Sequence, residues 1–197
     1  SHLARHPRDY VGAFRRLPTK LCKLFVQAYQ SLLFNRFLSQ RIRREIPLDT
    51  TQIGDYTIKL DSHGLPTASF TQVTAQFLPT IQKAIDENNT RIAIPLIGFK
   101  QHFSSGTQGE IEKEILETEN LTPRDFKVSL MPQISAPGGL RTILTPIISL
   151  SIGELSEDST NPFSLAFKLS FMLHRGSYAT VLLREFMKPR DLIKAGF

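Results

Sequence analysis

A chain of 197 residues, 41% hydrophobic and 21% charged, has the ordinary composition of a folded protein and is long enough for one sizeable domain or two small ones. No run of eighteen apolar residues occurs, which excludes a membrane-spanning helix, and a single cysteine, Cys22, excludes an internal disulfide framework and suits a reducing cytoplasm. Twenty-four Lys and Arg against eighteen Asp and Glu leave a formal charge of +6, which favours a polyanionic partner, nucleic acid before membrane. There is no positively charged leader with an apolar core, so no secretory signal is expected. The chain begins Ser-His without an initiator Met, and is expected to be a piece of a longer polypeptide.

Residues 1–17 set Arg5, Arg8, Arg15, Arg16, His2 and His6 around Tyr10, Val11, Phe14 and Leu17, a spacing that suits a short helix ended before Pro18. From Leu21 to Ile42 apolar residues recur at three- and four-residue steps. Leu21, Leu24, Phe25, Ala28 and Leu32 are expected to form one buried face, and Leu32, Leu33, Phe34, Phe37 and Leu38 make the second half apolar nearly all round. This helix is expected to be the spine of a core. Gln27, Ser31 and Asn35 climb it at four-residue steps, beside Tyr29 and Gln30. Unpaired buried amides and hydroxyls cost roughly 1–3 kcal/mol each, so the stripe needs partners, either as satisfied core hydrogen bonds or as the floor of a site. Arg36, Arg41, Arg43 and Arg44 crowd the end of the helix. They suit either a solvated helix C-terminus or contacts to phosphate.

Beyond Ile46-Pro47 the texture changes. GDYTIKL, residues 54–60, alternates like a strand, and Asp61–Gly64 is a turn. A helix is expected over 74–88, with Pro79 in its first turn. RIAIPLIGF, residues 91–99, reads as a buried strand interrupted by Pro95, hence an edge or a bulge. Residues 104–109 read as loop. Residues 110–119 read as an acidic surface helix, with Ile111, Ile115 and Leu116 inward. Strands are expected over 126–130 and 141–150 around a Pro137-Gly138-Gly139 turn, then an exposed connection over 153–162.

FSLAFKLSF, residues 163–171, alternates without a slip and predicts a strand with Phe163, Leu165, Phe167, Leu169 and Phe171 on one face. Gly176 and Ser177 follow, and residues 178–187 turn to helical spacing through Ala179, Leu182, Leu183 and Phe186. Ser177 is then a candidate N-cap and Tyr178 a first-turn residue at the sheet edge. Tyr178 either packs there or meets a ligand, and the turn's free N–H groups suit an anion. No self-contained active site assembles by spacing. The five histidines are scattered without a cysteine pair, and no phosphate loop, dinucleotide turn or nucleophile elbow occurs.

AYQSLLFN, residues 28–35, together with GSYATVLLREFMK, residues 176–188, resembles the TruD-type tRNA pseudouridine synthases, archaeal members most closely. Pro95–Gly98, the acidic helix with Glu117 and Glu119, and Gly138–Arg141 are similar to that family's inserted domain, in the same order. The resemblance implies an α+β fold, part of a pseudouridine-synthase mixed-sheet catalytic domain carrying an inserted α/β domain. Residues 1–45 and 160–197 would belong to the catalytic part and 46–159 to the insertion. It implies isomerisation of a uridine in tRNA to pseudouridine, without cofactor or metal. The target base must leave its stack to be reached, at a cost of a few kcal/mol.

The family's nucleophilic aspartate lies in a GTKDR-like motif, and base-binding residues lie in an NxFGxQRFG-like motif. Neither is in this chain. The chain alone is therefore expected to be inactive and to act with the N-terminal half of the same protein. Tyr178 matches the family's aromatic position that lines the base pocket. Tyr29, Gln30, Ser31 and Asn35 match a supporting motif, and Arg184 and Glu185 match the LRE that follows. The alternatives are a non-catalytic RNA-binding module on the same scaffold and a protein-interaction domain with solubilising charge. Oligomeric state is not legible in the sequence.

Overall fold

The computed structural model describes residues 2–161, 163–174 and 177–196. It divides into two compact units, Ser1–Leu144 and Thr145–Phe197. The first begins with two short helices, α1 (His2–Arg5) and α2 (Tyr10–Arg15), where one was expected. They part around Pro7, and Asp9 caps α2 by accepting from the Gly12 N–H at 2.8 Å. Pro18 then stands at the N-cap of the long helix α3 (Thr19–Arg43).

A four-stranded antiparallel sheet, in the order β2-β1-β3-β4, is built from β1 (Tyr56–Leu60), β2 (Pro66–Gln72), β3 (Thr90–Leu96) and β4 (Gly139–Thr142). Helix α4 (Leu78–Asp86) lies between β2 and β3, with proline in its first turn as expected. Helix α5 (Gly106–Thr118) follows β3 and begins inside the segment expected to be loop. The strand expected over 126–130 is absent. A 3-10 turn at Pro123–Phe126, closed by a Thr122–Asp125 capping box, takes its place.

Strand β3 is interior, not an edge, because it pairs with β1 on one side and β4 on the other. Pro95 is tolerated there because the β1 ladder ends at Ala93, so the proline lacks a neighbour only on that side. The core forms where α3 lies on β3 and α5: Leu33, Phe34 and Phe37 meet Ile94, Ile97, Leu116, Phe126 and Ala136. Ala93 points the other way, to Tyr56 and Ile58. Gly98 is held to glycine by close approach, since a Cβ there would lie 2.2 Å from the Gly138 nitrogen. The two glycine motifs of the inserted-domain resemblance are thus one backbone crossing.

The expected buried face of α3 is corrected. Leu24, Phe25 and Leu32 are 56%, 46% and 44% exposed, whereas Cys22, Leu33, Phe34, Phe37 and Arg41 are buried. The helix is apolar on two opposite sides, and only one of them is covered here. Helix α5 is likewise less superficial than its acidity suggests, with Gln108, Ile111, Glu112 and Leu116 buried.

In the second unit β5 (Ile148–Ile152) pairs with β8 (Leu169–Met172), and β6 (Ser156–Glu157) pairs with β7 (Leu165–Ala166). The single strand expected over 163–171 is therefore two short ones serving different partners. Phe163, at φ 70°, turns the chain before β7 and is fully exposed. Pro162, at the end of the expected connection, and Gly176, in the expected turn, lie outside the described residues. Helix α6 (Ala179–Met187) closes the unit, ending in a left-handed cap at Lys188. Among its described residues the second unit has no buried side chain.

Candidate functional site

The polar run on α3 is resolved by the helix repeat into two sides. Gln30 points inward and donates its side-chain amide to the Ile97 carbonyl at 2.6 Å, tying α3 to the end of β3. Tyr29, about 100° round the helix from Gln30, donates its hydroxyl to Glu119 at 2.7 Å, just past the end of α5. Arg36, two turns on, pairs with the other oxygen of the same carboxylate. These hydrogen bonds hold the Glu119 carboxyl below its ordinary range, Tyr29 contributing most, and the same bond raises the Tyr29 hydroxyl. Ser31 is half-buried. Asn35 is exposed, and its side chain has no hydrogen-bond partner among the described residues. The polar stripe is split: Gln30 and Tyr29 brace the fold, and Asn35 is open to solvent.

The four arginines at the end of α3 have separate fates. Arg41 is fully buried and makes a two-pronged pair with Asp55, at 2.7 and 2.9 Å, while also donating to the Pro47 carbonyl and to Gln108. It is thereby unavailable to phosphate. Arg36 is engaged by Glu119 and Arg44 by Glu114 of α5. Arg43 is exposed, and with Arg36, Ser39, Gln40, Ile115 and Thr118 it lines a cleft of about 400 Å³ between α3 and α5.

Behind that cleft lies a cluster absent from the sequence expectations. Gln108 donates to Glu112 at 3.0 Å, and the Ser104 N–H donates to the other Glu112 oxygen at 2.8 Å. Burial pushes the Glu112 carboxyl up to about 7, nearby Asp55 acts in the same direction, and the Ser104 and Gln108 donors oppose it. The signal was present in α5, where Gln108 and Glu112 sit four residues apart on the face that carries Ile111, Ile115 and Leu116. A polar pair inside an apolar stripe implies a buried network.

In the second unit Tyr178 occupies the N-cap of α6 itself, in extended backbone, and Ser177 precedes the cap instead of forming it. Tyr178 is 72% exposed, so its ring is not consumed by packing within its own unit. The strand face expected to carry Phe163, Leu165 and Phe167 gives Tyr178 no buried apolar support, since all three are exposed. Arg184 is half-buried, and Glu185 faces Lys188 at 4.0 Å instead of pairing with it.

An antiparallel sheet backed by a long braced helix defines an α+β fold. The sequence profile of the family described as "TruD: tRNA pseudouridine synthase D" matches residues 1–186. The chain belongs to the TruD family. It is 39% identical over 186 residues to a Methanopyrus kandleri protein named "Probable tRNA pseudouridine synthase D", covering 94% of this chain and 37% of that one. It is 39% identical over 193 residues to the Methanosarcina acetivorans protein of the same name, covering 98% and 43%. The fold matches a structure described as "Crystal Structure of the Putative tRNA pseudouridine synthase D (TruD) from Methanosarcina mazei" with a TM-score of 0.86 at 35% identity, over 95% of this chain and 43% of the other. The chain thus spans about two-fifths of the length of the relatives it matches.

Proposed function

We propose that this chain is the portion of a tRNA pseudouridine synthase that supplies RNA binding and one wall of the target-base pocket. In this reading residues 1–45 and 160–197 belong to the catalytic part and 46–159 to the family's insertion. The remainder of the polypeptide brings the nucleophilic aspartate, and the chain alone is inactive. The observation that carries the reading is family membership over nearly the whole chain, with the GSYAT motif's aromatic, Tyr178, left exposed. A tyrosine presented at a helix start stacks on an extruded uracil, a contact worth roughly 1–3 kcal/mol. Arg43, beside the α3–α5 cleft, is the arginine of its cluster without an acidic partner among the described residues, and serves a phosphate.

The test is tRNA binding by the 197-residue chain across a salt series. Affinity should fall steeply and log-linearly with salt, because each neutralised phosphate releases condensed counterions. Arg43→Ala should weaken binding about threefold to tenfold and flatten the salt slope. Binding that is absent or indifferent to salt overturns the RNA-binding part of the reading and favours a protein-interaction domain.

A further inference from the structure

Helix α3 carries no charged side chain between Lys23 and Arg36. A helix lying on a domain surface usually shows solvent a charged or polar face, and here Gln27 and Asn35 are exposed beside apolar residues that are left uncovered. Its inward side is filled by Cys22, Gln30, Leu33, Phe34 and Phe37. Its outward side presents Leu21, Leu24, Phe25, Ala28 and Leu32 in one row, about 17 Å long at the helical rise. The row extends onto α2, where the Phe14 ring meets the Phe25 ring edge-on at 6.1 Å and is itself 38% exposed. An apolar stripe of that length, unbroken by charge, belongs to an interface.

Resting on the reading above, we propose that this stripe is the docking surface for the part of a TruD-type polypeptide that the 197-residue chain does not span. The occupant is argued from length and charge. Relatives carry more than half of their residues outside the matched region, enough to cover such a face. A second copy of this chain fits poorly. Arg15, Arg16, Lys20 and Lys23 crowd one end of the stripe, so a two-fold pairing that brings those ends together sets like charges against each other.

The test co-expresses the complete 197-residue chain with the unmatched remainder of the Methanosarcina mazei relative, so that the two fold together, and measures their dissociation constant without RNA. The wild-type pair should associate. Leu24→Glu with Leu32→Glu should weaken association about a hundredfold, while circular dichroism and melting of the chain alone stay unchanged, because both residues are already exposed. Ala28→Arg, on the same row, should act in the same direction, and Leu24→Met with Leu32→Met should retain binding. The inference is overturned by a wild-type pair that does not associate, by glutamate variants that bind as tightly as wild type, or by a self-association that the glutamates abolish. The assay reads assembly alone: a complex that forms but makes no pseudouridine counts against the enzymatic reading and leaves this surface in place.

Discussion

At the scale of single residues, the buried charges behind α3 dominate. Removing one member of a buried ion pair strands the other without water, at a cost of about 3–5 kcal/mol. Arg41→Met, which leaves Asp55 buried and unpaired, should therefore lower stability by about that much in chemical denaturation. Adding Asp55→Leu should recover a large share of the loss. Glu112 gives the fold a pH dependence of known sign. Its folded pKa, about 7, lies above the ordinary 4.5, so the folded state binds the extra proton between those values. Stability from this group is present below pH 4.5 and is lost as pH rises through 7. Melting temperatures measured from pH 5 to 8 should fall for wild type relative to Glu112→Gln, which keeps a neutral amide at the Ser104 N–H. Parallel curves for the two would show that Glu112 stays ionised in the fold.

At the scale of elements, α3 makes a sharp prediction from two adjacent leucines. Leu33 is fully buried against Ile94, Ile97 and Leu116, whereas Leu32 is 44% exposed. In the isolated chain Leu33→Ala should cost about 2–5 kcal/mol and Leu32→Ala within about 0.5 kcal/mol. The same helix explains what was legible beforehand. Its extent, the turn at Asp61–Gly64 and the inward residues of α5 follow from periodicity and turn chemistry, and they stand. Periodicity names apolar faces but not which one this chain covers, so the spacing of α3 points to its outward side as readily as to its inward one. Strand β2, PTASFTQ, is an exposed edge whose alternation sets only Pro66, Ala68 and Phe70 against Thr67, Ser69 and Thr71, too weak an apolar face to announce a strand. Residues 163–171 alternate perfectly, yet alternation cannot tell one long strand from two short ones with different partners. Of the candidate site, Tyr178 and Gln30 could be singled out from motifs, but not that the one is exposed and the other bonded to the Ile97 carbonyl. The pairing of Arg36, Arg41 and Arg44 with acids 14 to 83 residues away was not legible.

At the scale of the whole molecule, the two units differ in kind. Ser1–Leu144 has a conventional core, while Thr145–Phe197 has no buried side chain among its described residues, although it carries Phe163, Leu165, Phe167, Val181 and Phe186. Fifty-three residues without a core do not fold stably alone, since burial of apolar surface is what offsets chain entropy. The measurement that bears most directly on the account is tritium release from tRNA labelled at uracil C5, the carbon that loses its hydrogen when it becomes the glycosidic carbon. The 197-residue chain alone should release none, and the chain assembled with the remainder of the polypeptide should turn over. In that assembly Tyr178→Ala should lower kcat/KM about tenfold to a hundredfold and Tyr178→Phe should keep most of it. Release by the chain alone, no release by the assembly, or an unaltered rate for Tyr178→Ala would contradict the account.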